Sequence, residues 1–319
     1  MCVFVYMSVP VCTCFSSALL FLPGDAHSTT PPCSMRELNP SEIMEAEQAL
    51  KLHFPESLKV YGCVFNINRG KPQNLEVVVD AWPDFSAIVC KPKIKGTRDR
   101  EGDFNIHSMF SRDQDSLRRL LDTPGLLDWG MYTLLAGVDL NYLDAVKALM
   151  DQHQVPSRTQ GVMRVLSLGS PTQLRAHESP PGCLIQPLRP QHAELVNSNW
   201  KYGGDADSYN SVLRYIAHLP SLCVIPEDGS AAGSPVSWVL LYPHSALGLL
   251  YTLPEYRRRG YARTLVSRFS EMLFEKGYPV YCFVEEGNSA SCRLFHSMGF
   301  RDKESYRAAW FEFNERPIN

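Results

Sequence analysis

A short basic loop between Thr252 and Ala262 contains the residues whose types and spacing most clearly suggest chemistry. Within it, Arg257, Gly260 and Ala262 follow an R-x-x-G-x-A spacing. An apolar run over 247–253 precedes the loop and an amphipathic pattern follows it, which predicts a strand, a turn and a helix. The N–H groups and the dipole at a helix N-terminus favour an anion such as a pyrophosphate, and small residues let it reach the backbone. The loop therefore predicts a phosphate site, although an ordinary basic surface loop would share this spacing.

A second strand and helix follow about 30 residues later. Residues 279–284 are apolar and rich in β-forming types, which predicts a buried strand. Asn288 then precedes a helical segment over 289–297, and Gly299 is a natural end for that helix. The two motifs, in this order and on these elements, resemble the GNAT superfamily of CoA-dependent N-acyltransferases.

The superfamily resemblance implies how an acyl-CoA would bind. The parallel strands 247–253 and 279–284 would separate at their C-terminal ends, and the pantetheine arm would lie in the gap. The pyrophosphate would bind the amides of 258–262. Asn288 would offer its side-chain amide to the pantetheine, although Asn is also a preferred helix N-cap and the two roles are compatible. The predicted cofactor-binding residues are Thr252, Leu253, Arg257, Arg258, Arg259, Gly260, Tyr261, Ala262 and Asn288.

Longer strings of residues are similar to the glycine N-acyltransferase family and its glycine N-acyltransferase-like members. They lie at 54–62, 81–85, 199–204 and 252–257, and the resemblance extends over residues 45–313. It implies transfer of an acyl group from the co-substrate acyl-CoA to the amine of a small amino acid, usually glycine. It also implies the mitochondrial location and the role in detoxification or acyl-CoA clearance that are common in the family.

Two positions depart from the family pattern. Members commonly place a glutamate, as the base that takes the amine proton, where this chain has Ala246. Many GNAT enzymes have a tyrosine, as the acid for the CoA thiolate, where this chain has Phe295. Such groups contribute roughly 10²–10⁴-fold to a rate. His244 could share a strand face with Ala246 and act as the catalytic base, but a solvent-exposed place in the hairpin turn is the simpler interpretation.

Two other functions stay open at this point. One is a degenerate family member that binds acyl-CoA with little turnover. The other is an N-acetyltransferase of protein or peptide amines, which would need an acidic peptide groove. Glu285 and Glu286 form the one acidic pair near the motifs, and such a pair more commonly lies in a solvated turn.

The chain has 319 residues, which is enough for two domains, and we expect an α+β fold with a mixed sheet. An unstructured extension is expected over 1–42, an α+β domain over 43–178, and a GNAT acyl-CoA-binding domain over 179–319. Residues 3–22 are largely apolar, but no Lys or Arg occurs before Arg36, which fits a secretory signal or a transit peptide poorly. Pro10, Pro23 and several Ser, Thr and Cys residues argue against a membrane span. Met35 or Met44 is a plausible natural start.

Composition narrows the possible partners. The formal net charge of −3 argues against nucleic-acid binding. The ten cysteines show neither paired C-x-x-C motifs nor a His/Cys ligand spacing, which indicates an intracellular protein without a structural metal. No stable membrane insertion is expected, and the oligomeric state stays open.

Local patterns predict the elements that position the motifs. In the first half they predict helices at 45–52, 115–121 and 139–150, and strands at 60–67, 75–79 and 85–90. Residues 160–181 are expected to join the two halves, with a strand over 162–167 as an open alternative within them. The second half is predicted to run β–α–α–β–β–β–α–β–α–β, with the motifs on its last strands and helices.

Overall fold

One mixed β-sheet, with 13 strands among the described residues, organises the fold. A computed structural model describes residues 35–93, 105–229, 231 and 233–316. Residues 1–34, which make up most of the expected extension, lie outside this range. The described residues belong to one compact unit.

Strands and helices are interspersed along the described part of the chain. The strands are β1 Arg36–Glu37, β2 Leu75–Val79, β3 Ala87–Pro92, β4 Ile106–Ser111, β5 Thr133–Asp139, β6 Ser157–Leu168, β7 Cys183–Gln186, β8 Ser221–Pro226, β9 Ser237–Leu241, β10 Leu247–Thr252, β11 Val280–Glu285, β12 Arg301–Asp302 and β13 Ala308–Phe313. The helices are α1 Pro40–Lys51, α2 Leu58–Asn68, α3 Gln114–Leu121, α4 Leu143–Gln152, α5 Ala193–Ser198, α6 Ala206–His218, α7 Tyr261–Glu275 and α8 Ser289–Ser297.

The last long strand of the chain joins the two halves of the sheet. The strand order is β1-β2-β3-β4-β5-β13-β6-β11-β10-β9-β8-β7, and β12 pairs with β6 outside this path. β13 is antiparallel to both β5 and β6, whereas the β4–β5 and β10–β11 pairs are parallel. The strands of the C-terminal half therefore continue the sheet of the N-terminal half.

Helices cover both faces of the sheet, and strand β9 shows how the sequence achieves this. All of its residues are buried. Trp238 and Leu240 pack into a core cluster with α5 and α6, while Val239 and Leu241 pack into a cluster with α7. Because strand side chains alternate between faces, a strand that is buried on both sides reads as a continuous apolar run.

The predicted order of elements in the second half is confirmed, with the short β12 added before the last strand. The strand predicted at 75–79 is also confirmed. The strand predicted at 60–67 is wrong, because these residues lie in α2. Residues 58–66 are all buried, so polar residues do not recur at the spacing that marks the exposed face of a helix. The prediction of a strand therefore rested on the β-forming residue types alone. The segment 160–181, expected as a join, contains most of β6.

Candidate active site

The two parallel strands β10 and β11 form a fork. They pair at one register only, Leu247 with Cys282. β10 continues to pair with β9 up to Thr252, and β11 continues to pair with β6 up to Glu285. Each strand therefore follows a different neighbour, and the sheet opens between them toward their C-terminal ends. We call this gap the fork.

A β-bulge distorts the strand on one side of the fork. The β9–β10 register shifts between Gly248 and Tyr251, and Leu249 has a left-handed φ of +48°. A Cβ on Gly248 would lie 1.9 Å from the ring of Tyr242, so only glycine allows this approach. Burial raises the pKa of Tyr242, although the Trp200 side chain and the Leu249 backbone hydrogen-bond to its hydroxyl and oppose that rise. The Leu249 backbone is therefore occupied, whereas the other backbone groups that a bulge takes out of the ladder are available to a ligand in the fork.

The basic loop forms an anion-binding geometry at the start of α7. Arg258 and Gly260 adopt left-handed φ values of +60° and +87°. Gly260 is the N-cap residue, and within the described residues no side chain caps this helix end. The first backbone bond of the helix runs from the Thr264 N–H to the Gly260 carbonyl, at 3.1 Å. The amide groups of the first turn and the positive end of the helix dipole are therefore available to an anion.

The arginines of the loop lie on its surface. Arg257, Arg258 and Arg259 are all exposed. Arg257 Nε donates to the Thr252 carbonyl at 3.0 Å, and Arg259 Nη2 donates to the Glu255 carbonyl at 3.2 Å. Their charges favour an anion at the loop, whereas the backbone supplies the defined geometry.

The other predicted cofactor-binding residues lie along the same strands and helices. Thr252 ends β10, with its hydroxyl 2.7 Å from that of Ser237. The Leu253 N–H donates to the Val236 carbonyl at 2.9 Å. Tyr261 is the first residue of α7 and is buried in the core, and Ala262, the second residue, is half-buried. The binding of a cofactor by these four residues stays a prediction.

Asn288 is the N-cap residue of α8. Its Oδ1 accepts a hydrogen bond from the Ser291 N–H at 3.1 Å. The helix-cap interpretation is therefore correct, and it involves the side-chain oxygen. A contact between the Asn288 amide nitrogen and a pantetheine stays a prediction.

One residue near the loop was missed by the sequence reasoning. The segment before β7 crosses the first turns of α7, where the His177 N–H donates to Ser267 Oγ at 3.1 Å. His177 Nε2 lies 3.2 Å from the position that a Cβ on Gly260 would occupy. No motif links His177 to the loop, because the contact joins residues far apart in the chain.

His244 is the candidate catalytic base, and the solvent-exposed position considered for it is wrong. Its ring stacks on Tyr242 at 5.3 Å, and its Nε2 atom is buried without a partner in the part of the chain that the structure describes. The helix α2 covers the hairpin tip, because a Cβ on Gly62 would lie 1.7 Å from the His244 carbonyl oxygen. Burial, followed by the nearby Lys59, lowers the pKa of His244 well below its usual value. The imidazole is therefore neutral at physiological pH.

Lys59 is a buried cation next to this histidine. Its Nζ lies 3.3 Å from His244 Nδ1 and 5.0 Å above the centre of the Trp310 ring. No carboxylate among the described residues forms an ion pair with it, and burial lowers its pKa to about 8. Lys59 therefore exchanges its proton close to physiological pH.

The two departures from the family pattern lie in apolar surroundings. Ala246 is fully buried in a cluster with Leu58 and Tyr281. Phe295 is also buried, and its ring packs edge-on against Phe300 at 5.0 Å. Neither position supplies a proton donor or acceptor.

A cavity of about 490 Å³ lies beside β3 and β4, where Asn105 and His107 line it. The strands β5, β13 and β6 separate it from the fork. Among the described residues, no group of His, Cys, Asp or Glu side chains could hold a metal ion. No helix in this part of the chain is long and apolar enough to cross a bilayer.

The fork, the bulged strand and the uncapped helix define a GNAT-fold acyltransferase domain. Comparison with known proteins supports this class. The sequence profile described as aralkyl acyl-CoA:amino acid N-acyltransferase matches residues 35–220, and the FR47-like profile matches residues 228–309. Because the first profile spans more than half of the chain, the chain belongs to this family, that of the glycine N-acyltransferases. It is an acyltransferase.

Individual proteins agree with this assignment. Rat glycine N-acyltransferase is 27% identical over 270 residues, which cover 79% of this chain and 90% of the rat protein. A solved Drosophila structure matches with a TM-score of 0.72 at 21% identity, and covers 89% of this chain and 99% of its own. The GCN5-related N-acetyltransferase from Kribbella flavida matches with a TM-score of 0.50 at 15% identity, over 84% and 96% of the two chains. The last two show similarity of fold alone.

Proposed function

We propose that the protein transfers an acyl group from acyl-CoA to the amine of glycine or another small amino acid and releases CoA. The observation that carries this proposal is the fork, which leads directly into the uncapped N-terminus of α7. An extended arm can pair with a free strand edge while a phosphate binds the helix amides. A pantetheine diphosphate combines both chemical features.

Each part of acyl-CoA has a matching region. The pyrophosphate binds the amides of 258–262, and the exposed arginines attract it. The pantetheine follows the edge of β10 toward Asn288. The acyl thioester then lies near the bulge around Leu249, where backbone groups can polarise its carbonyl.

The reaction requires an amine that has lost its proton. The amine nitrogen attacks the thioester carbonyl, the tetrahedral intermediate collapses, and CoA leaves as its thiolate. Since Ala246 cannot take the amine proton, the routes are water or His244. We propose His244 Nε2 as the base, because its imidazole is unprotonated at physiological pH and its Nδ1 has a polar partner in Lys59. Its lowered pKa makes it a weaker base than an ordinary histidine.

The protonation state of Lys59 decides which nitrogen of His244 can act. A Lys59 ammonium donates to Nδ1, so the imidazole hydrogen must lie on Nε2, which then cannot accept a proton. A neutral Lys59 accepts from the Nδ1 N–H and leaves Nε2 with a free lone pair. His244 therefore acts as a base only above the Lys59 pKa of about 8.

A second candidate function is acyl-CoA binding with little turnover. The observation in its favour is that Ala246 and Phe295 lie in apolar clusters, where family members commonly have acid–base groups. A third candidate, the acylation of protein amines, would need an acidic peptide groove. The family relationship also leads us to propose a mitochondrial location and a role in detoxification, which organelle fractionation tests.

A thiol-release assay separates these functions. The protein is incubated with a grid of acyl-CoAs and small amino acids, and products are identified by mass spectrometry. We expect CoA release that depends on the amino acid, with an N-acyl amino acid as the product. CoA binding without release supports the second function, and acylated protein lysines without acylglycine support the third.

A further inference from the structure

An ion pair connects the two sides of the fork. Lys201 lies in the connection between α5 and α6, and Glu285 is the last residue of β11. The distance from Lys201 Nζ to Glu285 Oε2 is 2.7 Å. The helices α5 and α6 pack on β8 and β9, which belong to the β10 side of the fork. The pair therefore crosses the fork at the C-terminal end of β11.

The ion pair lies on the same face of the sheet as the candidate base. Side chains of Glu285 and Phe283 share a face, because strand residues two apart point the same way. The Phe283 ring is 5.7 Å from the His244 ring. Trp200, the neighbour of Lys201, has its ring 6.4 Å from that of Tyr242, on which His244 stacks. Polar groups therefore lie at both ends of an aromatic surface, with Lys201 at the exposed end and His244 at the buried end.

Lys201 can exchange its partner at little cost. Its side chain is 62% exposed and that of Glu285 is 41% exposed. The hydrogen bond that Lys201 donates to Glu285 raises the pKa of Lys201, which therefore remains an ammonium at physiological pH. Exposed ion pairs contribute little to stability, so another carboxylate can replace Glu285 on Nζ. The neighbouring Glu286 is bound at 3.0 Å by Arg307 and does not compete for Lys201.

We propose that Lys201 binds the carboxylate of the acceptor amino acid and so selects free α-amino acids over amines without a carboxylate. This inference rests on the proposed function and adds a specificity residue to it. The acceptor carboxylate takes the place of Glu285 on Lys201 Nζ, and the acceptor amine points along Phe283 toward His244. A lysine side chain of a protein has no carboxylate beside its amine and is a poor acceptor in this geometry.

The test compares glycine with glycinamide, which keeps the amine and lacks the carboxylate. We expect Lys201→Met to lower the ratio of kcat/KM for glycine to that for glycinamide about tenfold, mainly through the KM for glycine. The KM for acyl-CoA should stay unchanged, and Lys201→Arg should restore most of the ratio. Lys147→Met is the matched control, because Lys147 forms a similar exposed pair with Asp144 on α4.

Three outcomes would overturn the inference. An unchanged ratio in folded Lys201→Met protein would remove Lys201 from acceptor recognition while leaving the proposed function intact. An equal loss with both acceptors would mean that the ion pair only holds the fork together. No acceptor-dependent CoA release from the wild-type protein would refute the proposed function itself, and this inference with it.

Discussion

A carboxylate introduced at position 262 should weaken phosphate binding without weakening the helix, so the two effects can be measured separately. Ala262 is the second residue of α7, so Ala262→Asp places a carboxylate beside the uncapped amides. Acidic residues in the first turn stabilise a helix by about 0.3–1 kcal/mol. The same carboxylate repels a pyrophosphate on those amides. Ala262→Asp should therefore keep the fold and lose the cofactor. Gly260 suits this test less well, because its φ of +87° strains any side chain placed there.

The size of the loss follows from the charges. At ~5 Å and an effective dielectric constant of about 20, each unit of phosphate charge costs about 3 kcal/mol. The exposed Arg257, Arg258 and Arg259 screen part of this repulsion. If screening removes half of the repulsion, a pyrophosphate with two charges still loses about 3 kcal/mol of binding free energy. The Kd of CoA should therefore rise at least about 100-fold.

Calorimetry of CoA binding and thermal unfolding measure the two effects together. Ala290→Asp is the matched control, because Ala290 is exposed at the second position of α8, beside the region assigned to the uncharged pantetheine. We expect the Tm of both variants to stay at or above that of the wild type, and only Ala262→Asp to lose affinity. Normal CoA affinity in folded Ala262→Asp protein would refute the phosphate site.

Two further predictions concern the buried pair. His244→Ala should lower kcat about 100-fold, and its rate should rise steadily with pH where the wild-type rate reaches a plateau above pH 8. His218→Ala is the control, because His218 is exposed and its loss should change neither the rate nor the pH profile. Identical pH–rate profiles for the wild type and His244→Ala would exclude His244 as the base. Lys59→Met should be more stable than the wild type at neutral pH. Lys59 loses its proton near pH 8 in the folded protein and near pH 10.5 in the unfolded chain, so the free energy of unfolding of the wild type rises with pH between these values. The stability advantage of Lys59→Met, measured by urea unfolding, should therefore shrink by about 3 kcal/mol over this window. A difference in stability between the two proteins that does not change with pH would contradict this prediction.

The strand, turn and helix around the basic loop were predictable, because the information for them is local. Gly260 must adopt a left-handed φ before a helix start, and this requirement appears in the sequence as a glycine between a strand and an amphipathic pattern. The helix cap at Asn288 was predictable for the same reason. The strands β10 and β11 also followed from short apolar runs.

The buried pair could not be predicted, because tertiary contacts create it. Lys59 lies on α2, in a segment whose neighbouring residues 60–67 suggest a strand. His244 appears in the sequence as a turn residue, and only the packing of α2 on the hairpin tip buries it. Lys201 was part of a recognisable string, but its position across the fork depends on the whole C-terminal sheet. Long-range packing therefore limits what local patterns can predict about the acceptor side.

Product analysis with glycine distinguishes acyl transfer to a small amino acid from CoA binding alone and from acylation of protein amines. Isotope-labelled glycine is incubated with the protein and each of several acyl-CoAs, while CoA release and the labelled product are measured by thiol titration and mass spectrometry. The fork, the anion loop and the family relationship predict labelled N-acylglycine in equal amount to the CoA released, for at least one acyl-CoA. Tight CoA binding without release from any acyl-CoA, or acylated protein lysines without acylglycine, would contradict the account.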